Sequence, residues 1–178
     1  MHTAGAILAN KLSAQGNMGD GVYLQNDYGS AGITVLGDCF FRDNTGNGIG
    51  AYSNSLITMS KINAERNGGN GLDVSSTSGN VTLSYIYVKY SGLHGIAVQT
   101  PKNVTILYAY SFSNGLGSDG DGLFILASNT SLVTIKYSSF IGNEGNGIEV
   151  VNKVPVLIST NYFGNDTNNN GDADKYIH

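Results

Sequence analysis

The chain has 178 residues, a formal net charge of −4 and only 12% charged residues, while 25 Gly, 21 Asn and 18 Ser together fill 64 of its positions. That balance excludes long helices, because Gly and Asn are poor helix formers and Asn and Ser favour turns, and it excludes a basic footprint for nucleic acid or anionic lipid. A 40% hydrophobic share still builds a core, no apolar run approaches the roughly 20 residues of a membrane span, and the single cysteine, Cys39, forms no internal disulfide.

In chain order, the first element is Ile7-Leu8-Ala9, a degenerate strand leading to a polar turn at Asn17. A full unit then opens on Asp20-Gly21-Val22, continues through Ile33-Thr34-Val35 and Phe40, and closes on Asn44. Its opening returns as Asn47-Gly48-Ile49, Asn70-Gly71-Leu72, His94-Gly95-Ile96, Asp121-Gly122-Leu123 and Asn146-Gly147-Ile148, with glycine spacings of 27, 23, 24, 27 and 25. The second strand returns as Ile57-Thr58-Met59, Val81-Thr82-Leu83, Val104-Thr105-Ile106, Val133-Thr134-Ile135 and Val156-Leu157-Ile158, at spacings of 24, 24, 23, 29 and 23. A third strand, marked by Phe40 in the first unit, is marked afterwards by Ala64, Val88, Ser111, Phe140 and Phe163, and the later units close on Asn67, Ser91, Asn114 and Asn143.

Within each series apolar residues alternate at i and i+2, the strand period, and no stretch sustains a 3.6-residue stripe. Strands this short bury nothing alone. Stacked, they place Val22, Ile49, Leu72, Ile96, Leu123 and Ile148 in one interior column and Leu24, Ala51, Val74, Val98, Ile125 and Val150 in the next, with rungs about 4.8 Å apart. Turn asparagines at matching positions stack and hydrogen-bond along the axis, and glycine is expected at corners with φ > 0. The predicted fold class is all-β, a parallel β-solenoid of about six rungs with three short strands per rung. It spans residues 1–165 as one repeat domain, followed by an Asn/Asp-rich tail over 166–178.

The succession polar-Gly-Ile-x-Val, Val-Thr-Ile, Phe, Asn resembles the right-handed parallel β-helix repeat of pectate-lyase-like proteins. More narrowly, it is similar to the Asn/Gly/Ser-rich repeat regions of large bacterial surface or secreted proteins. The resemblance implies a right-handed β-helix and a bacterial, extracellular or cell-surface setting. It leaves activity open, because this fold carries lyases, hydrolases, adhesins and inert stalks alike. The lyases pair calcium-binding aspartates with a catalytic Arg or Lys; the two arginines here, Arg42 and Arg66, belong to no matching constellation, and the paired-aspartate signature of polygalacturonases is missing.

Chemistry must therefore be sought in the outward columns. Asp73 and Glu149 fall three rungs apart, about 14 Å, too far for a glycosidase pair. The best catalytic cluster is His94 with Asp121 on neighbouring rungs and Asp119 in the longest insertion, since a His beside a carboxylate can serve as a general base. His94 and Asp121 also occupy the slot filled elsewhere by Asn47, Asn70 and Asn146, which reads as membership of a turn ladder. Tyr85, Tyr108 and Tyr137 fall on successive rungs, with Tyr87 and Tyr110 two residues later, so five rings line one outer face as candidates for binding a polysaccharide or cell-surface glycan. Finally, Asp166, Asn168, Asn170, Asp172 and Asp174 match the first nine positions of a calcium loop with Gly171 at position six, although position twelve is Ile177 rather than a bidentate Glu.

The leading functional expectation is a non-enzymatic extracellular β-helix module, an adhesin, stalk or glycan-binding repeat of a larger protein. A carbohydrate-active enzyme domain, lyase or hydrolase, is the alternative. A third is a fibre-forming fragment, because the first unit starts mid-rung and an open strand edge templates end-to-end association.

Overall fold

The computed structural model describes residues 3–128, 130–152, 155–159, 162–164 and 175–177, the last two segments as backbone. The alternating runs become strands, and each rung pairs only with its neighbours, in parallel. One sheet holds seven strands: β3 (Val22–Asn26), β6 (Ile49–Ser53), β8 (Leu72–Ser76), β10 (Ile96–Thr100), β12 (Leu123–Ala127), β15 (Ile148–Val151) and β18 (Lys175–Ile177), stacked in that order. The other holds eleven. Its long path runs β1 (Ile7–Asn10), β4 (Ile33–Leu36), β7 (Ile57–Glu65), β9 (Val81–Lys89), β11 (Val104–Phe112), β13 (Val133–Lys136) and β16 (Val156–Ser159), with β2 (Ser13–Gln15), β5 (Cys39–Arg42), β14 (Ser139–Ile141) and β17 (Tyr162–Gly164) continuing its second half.

The predicted register holds at every rung of the first strand: Val22, Ile49, Leu72, Ile96, Leu123 and Ile148 are successive partners. So are Thr34, Thr58, Thr82, Thr105 and Thr134 on the outward side of the second. Inward residues from both sheets merge into one core, in which Ile49, Leu72, Ile96, Ile57, Leu83 and Ile106 are fully buried.

Three expectations change. The second and third strands are not separate units in the middle rungs. They run on as single nine-residue strands, β7, β9 and β11, bent at one left-handed residue: Lys61, Tyr85 or Tyr108. The first rung has an extra corner residue, Gly37-Asp38 standing where later rungs have one, so Phe41 rather than Phe40 pairs with Ala64. Phe41 is fully buried and Phe40 is thrown outward, because a one-residue slip exchanges the two faces of a strand. The third change concerns glycine. The repeated motif glycines do not sit at φ > 0; left-handed corners are held mainly by Asp43, Lys61, Arg66, Tyr85, Tyr90, Tyr108, Ser113 and Tyr137.

The motif glycine is required by close approach instead. A Cβ on Gly48 would lie 2.6 Å from the Gly71 carbonyl oxygen and 2.9 Å from Asn67 Nδ2, and Gly21 and Gly122 face the same pair of neighbours. Those amides are the turn ladder, turned inward by the left-handed residue before each. Asn17 Nδ2 donates to Asn44 Oδ1 at 2.8 Å, Asn44 Nδ2 to Asn67 Oδ1 at 2.9 Å, and Asn114 Nδ2 to Asn143 Oδ1 at 2.8 Å. Ser91 interrupts it; its hydroxyl is buried without a hydrogen-bond partner among the described residues, beside Val88, whose branched side chain crowds the space at Gly71.

Gly48→Ala should therefore destabilise the chain by about 1–3 kcal/mol, the usual cost of overpacking. Gly19→Ala, with nothing within 4 Å of the added carbon, should be near neutral. Urea titration checks this: only Gly48→Ala is expected to lower the midpoint at unchanged slope.

Candidate functional site

His94 and Asp121 do meet, as members of a ladder. A second ladder runs through the residue before each motif glycine, each side chain accepting from the backbone N–H of its counterpart one rung on. Asn47 N–H donates to Asp20 Oδ1 at 2.7 Å, Asn70 N–H to Asn47 Oδ1 at 2.8 Å, His94 N–H to Asn70 Oδ1 at 3.0 Å, Asp121 N–H to His94 Nδ1 at 2.9 Å and Asn146 N–H to Asp121 Oδ1 at 2.7 Å. His94 Nδ1 also lies 3.2 Å from Asp121 Oδ2, and the imidazole ring stacks on Phe124 at 4.9 Å. Asp121 is 2% exposed and its Oδ1 also accepts from Asn146 Nδ2. Asp119 lies exposed in the insertion at φ 51. Asp73 and Glu149 are three rungs apart in register, as expected.

Asp73 has a different partner. Tyr52 donates its hydroxyl to Asp73 Oδ2 at 2.7 Å, and burial, reinforced by that bond to a carboxylate, pushes the phenol well above its ordinary value near 10.

The tyrosines form the outstanding outer feature. Tyr85, Tyr108 and Tyr137 occupy the same corner on consecutive rungs at φ 54, 54 and 55, so the rung spacing itself stacks their rings, at 4.9 Å and 8°, then 5.0 Å and 15°. Left-handed backbone costs about 1–2 kcal/mol per residue and each ring pair returns about 0.5–1.5 kcal/mol. Stacking covers both faces of Tyr108 and one face of each neighbour. A sugar cannot reach the middle of this ladder; the Tyr85 face towards the preceding rung is the one that borders a cavity. Tyr87 and Tyr110 pair two residues further along the strand, both against Phe112, at 5.7 Å and 6.4 Å.

That cavity, about 310 Å³, is lined by Asp38, Cys39, Phe40, Lys61, Ile62, Asn63, Tyr85 and Tyr87. Phe40, Asn63 and Tyr87 are successive partners across three rungs, so a short polar residue lies between two exposed aromatic ones. Asn63 Oδ1 is buried and has no hydrogen-bond partner among the described residues. A second depression of about 280 Å³, lined by Ser13, Ala14, Gln15, Phe40 and Arg42, leaves Phe40 as a ridge between the two.

Beside the aromatic column, Arg42, Glu65 and Lys89 are also successive partners. Glu65, 8% exposed, receives Lys89 at 3.3 Å, Arg42 at 3.6 Å and a close contact from Arg66. Arg66 also holds Asp43 at 2.7 Å, and its hydrogen bond keeps the Asp43 carboxyl below the usual carboxylate range. Lys89 stands over the Tyr87 ring and Arg42 over that of Phe40, at 5.8 and 5.7 Å. Sequence reading missed Phe40, Asn63 and this charge cluster because the slip at Gly37-Asp38 displaces Phe40 and Arg42 from their columns. The break in the aromatic column at Asn63 was the available signal.

The family model for the right-handed beta helix region matches residues 1–163. The chain belongs to the right-handed β-helix family. Among solved structures, this β-helix chain is similar to the A-module of the Azotobacter vinelandii mannuronan C-5 epimerase, at 15% identity and a TM-score of 0.64. The match covers 99% of this chain and 57% of the neighbour, and shows the shared fold. A search of curated proteins returns no match. The calcium-loop candidates of this β-helix chain, Asp166, Asn168, Asn170, Asp172 and Asp174, lie outside the described residues; Ile177, at position twelve of that motif, pairs as a strand residue with Val150.

Two outcomes follow for the ladder and the phenol. His94→Asn, which keeps an acceptor for the Asp121 N–H, should retain stability, whereas His94→Leu should lose about 1–3 kcal/mol by leaving that N–H unpaired. Because the folded-state value of Tyr52 lies above the unfolded one, its contribution is present below pH 10 and lost as pH rises beyond it. Denaturant melts between pH 8 and about 11 should show a shallower alkaline decline for Tyr52→Phe than for the wild type.

Proposed function

We propose that the chain is a non-enzymatic, glycan-binding β-helix module of a bacterial extracellular or cell-surface protein, and that it binds polysaccharide on the outer face of β5, β7 and β9. The observation that carries this reading is the cavity at Asn63: the free face of Tyr85, the Tyr87 ring and the Phe40 ring surround a buried amide oxygen that lacks a donor. Aromatic surface beside a few placed polar groups is the usual composition of a saccharide or small-molecule pocket. The non-enzymatic part is supported by the place of His94 and Asp121 in the second ladder, where each side chain accepts a backbone N–H from the next rung as the asparagines at that position do.

A second reading, a carbohydrate-active enzyme domain, is favoured by the structural neighbour, which is named as an epimerase of mannuronan. The two readings separate on turnover. Screening on a glycan array should give binding that Tyr85→Ala weakens at least tenfold and that Tyr137→Ala, at the far end of the ladder, leaves within twofold. No epimerisation, elimination or hydrolysis of neutral or acidic polysaccharides is expected. Turnover abolished by His94→Ala would replace the module by an enzyme, and an array without binding would remove the glycan reading.

A further inference from the structure

We infer that the cavity at Asn63 is a subsite for one pyranose ring of all-equatorial configuration, a gluco- or xylo-configured unit of an oligosaccharide. The inference rests on the glycan-binding reading and narrows its ligand to one stereochemical class.

Phe40 and Tyr87 belong to rows two rungs apart, about 9.6 Å, with Asn63 in the row between. A saturated ring in contact with both walls uses two carbon–carbon contacts of about 3.5–4.0 Å, and its pucker takes up the remainder. The volume, about 310 Å³, stands at the lower end of small-molecule pockets. The wall at Tyr85 is the best oriented: its ring lies 8° from that of Tyr108 and 4.9 Å away, so its other face looks along the axis towards the rung of Lys61 and Asn63. Lys61 holds the next place in that corner column, and Asn63 lies two residues further along the same strand.

A ring held between aromatic walls must be apolar on both sides. The negative ring faces attract axial C–H bonds. An axial hydroxyl would exchange its water for an aromatic face that cannot replace the lost hydrogen bond. All-equatorial pyranoses carry only C–H on both faces, while their hydroxyls and equatorial linkages radiate in the plane of the slot. There they meet the floor and the rim: the Asn63 amide, whose buried Oδ1 takes a sugar hydroxyl as donor once the amide turns, Lys61 as a donor and Asp38 as an acceptor. A sugar hydroxyl, both donor and acceptor, serves all three.

Calorimetric titration with β-1,4-linked cellotetraose, xylotetraose, mannotetraose and galactotetraose tests the assignment. The first two should bind, and the last two should bind at least tenfold more weakly, because each mannose unit carries an axial 2-hydroxyl and each galactose unit an axial oxygen at C4. Asn63→Tyr, which fills the slot with a ring at an outward position, should abolish binding while keeping the wild-type melting temperature. Phe40→Ala, which removes one wall from a half-exposed site, should weaken binding at least tenfold and serves if Asn63→Tyr fails to fold. Equal affinity for mannotetraose or galactotetraose, or undiminished cellotetraose binding in a folded Asn63→Tyr or Phe40→Ala variant, would overturn the subsite and leave glycan binding elsewhere on the face standing. Absence of binding to any saccharide overturns both.

Discussion

Parallel in-register pairing is the constraint on which the rest of this molecule depends. Once each rung repeats its neighbour about 4.8 Å along the axis, any residue type that recurs at one position is forced into contact with its copies. The apolar columns become a continuous core, the turn asparagines become a chain of buried amides, and the tyrosines at the Lys61 corner become a stack. None of these features is chosen separately. The same constraint demands glycine at the start of each first strand, since the next rung's carbonyl and the inward amide leave no room for a Cβ at Gly48.

The unusual composition then acquires a division of labour. Buried amides are tolerable because their oxygens accept along the ladder and their N–H groups donate to the next amide or, at Asn67 and Asn143, to the carbonyls of Phe41 and Ser111. Ser91 is the visible exception, a buried hydroxyl without a partner among the described residues, where Val88 crowds out the amide. Charge is scarce, and part of it is collected on one face: Arg42, Arg66 and Lys89 surround the nearly buried carboxylate of Glu65 next to the aromatic residues. A carboxylate buried to this degree needs its cations, and their placement beside Phe40 and Tyr87 also sets what the face can contact.

Much of this was legible in the sequence, because a period-2 pattern repeated at rung intervals specifies both strand faces and register. The first-strand columns, the threonine row, both ladders and the Tyr85–Tyr108–Tyr137 succession follow from it directly. What was not legible depended on single-residue insertions and on backbone angles. Phe40 and Phe41 are both aromatic, so the pattern cannot say which one is inward; the extra residue at Gly37-Asp38 decides, and with it the positions of Arg42 and the cavity wall. Glycine content suggested left-handed corners, whereas eleven of the sixteen among the described residues are held by other residues, tyrosine most often, because stacking and in-register pairing outweigh their intrinsic reluctance. The candidate site moved for a related reason. Five tyrosines in columns read as a surface of rings, but stacking hides ring faces and leaves the useful one at the end of the row.

Function in this account thus arises where the repeat is broken. A row of rings that stopped nowhere would offer edges and hydroxyls, while a missing ring at Asn63 offers two walls and a floor. The most direct test is a crystal structure of the chain grown with saturating oligosaccharide. The account predicts one sugar ring lying on the free face of Tyr85, within about 4 Å of it, with Phe40 on its opposite side. A saccharide bound along the Tyr108–Tyr137 edges, or on the seven-stranded sheet, would contradict it.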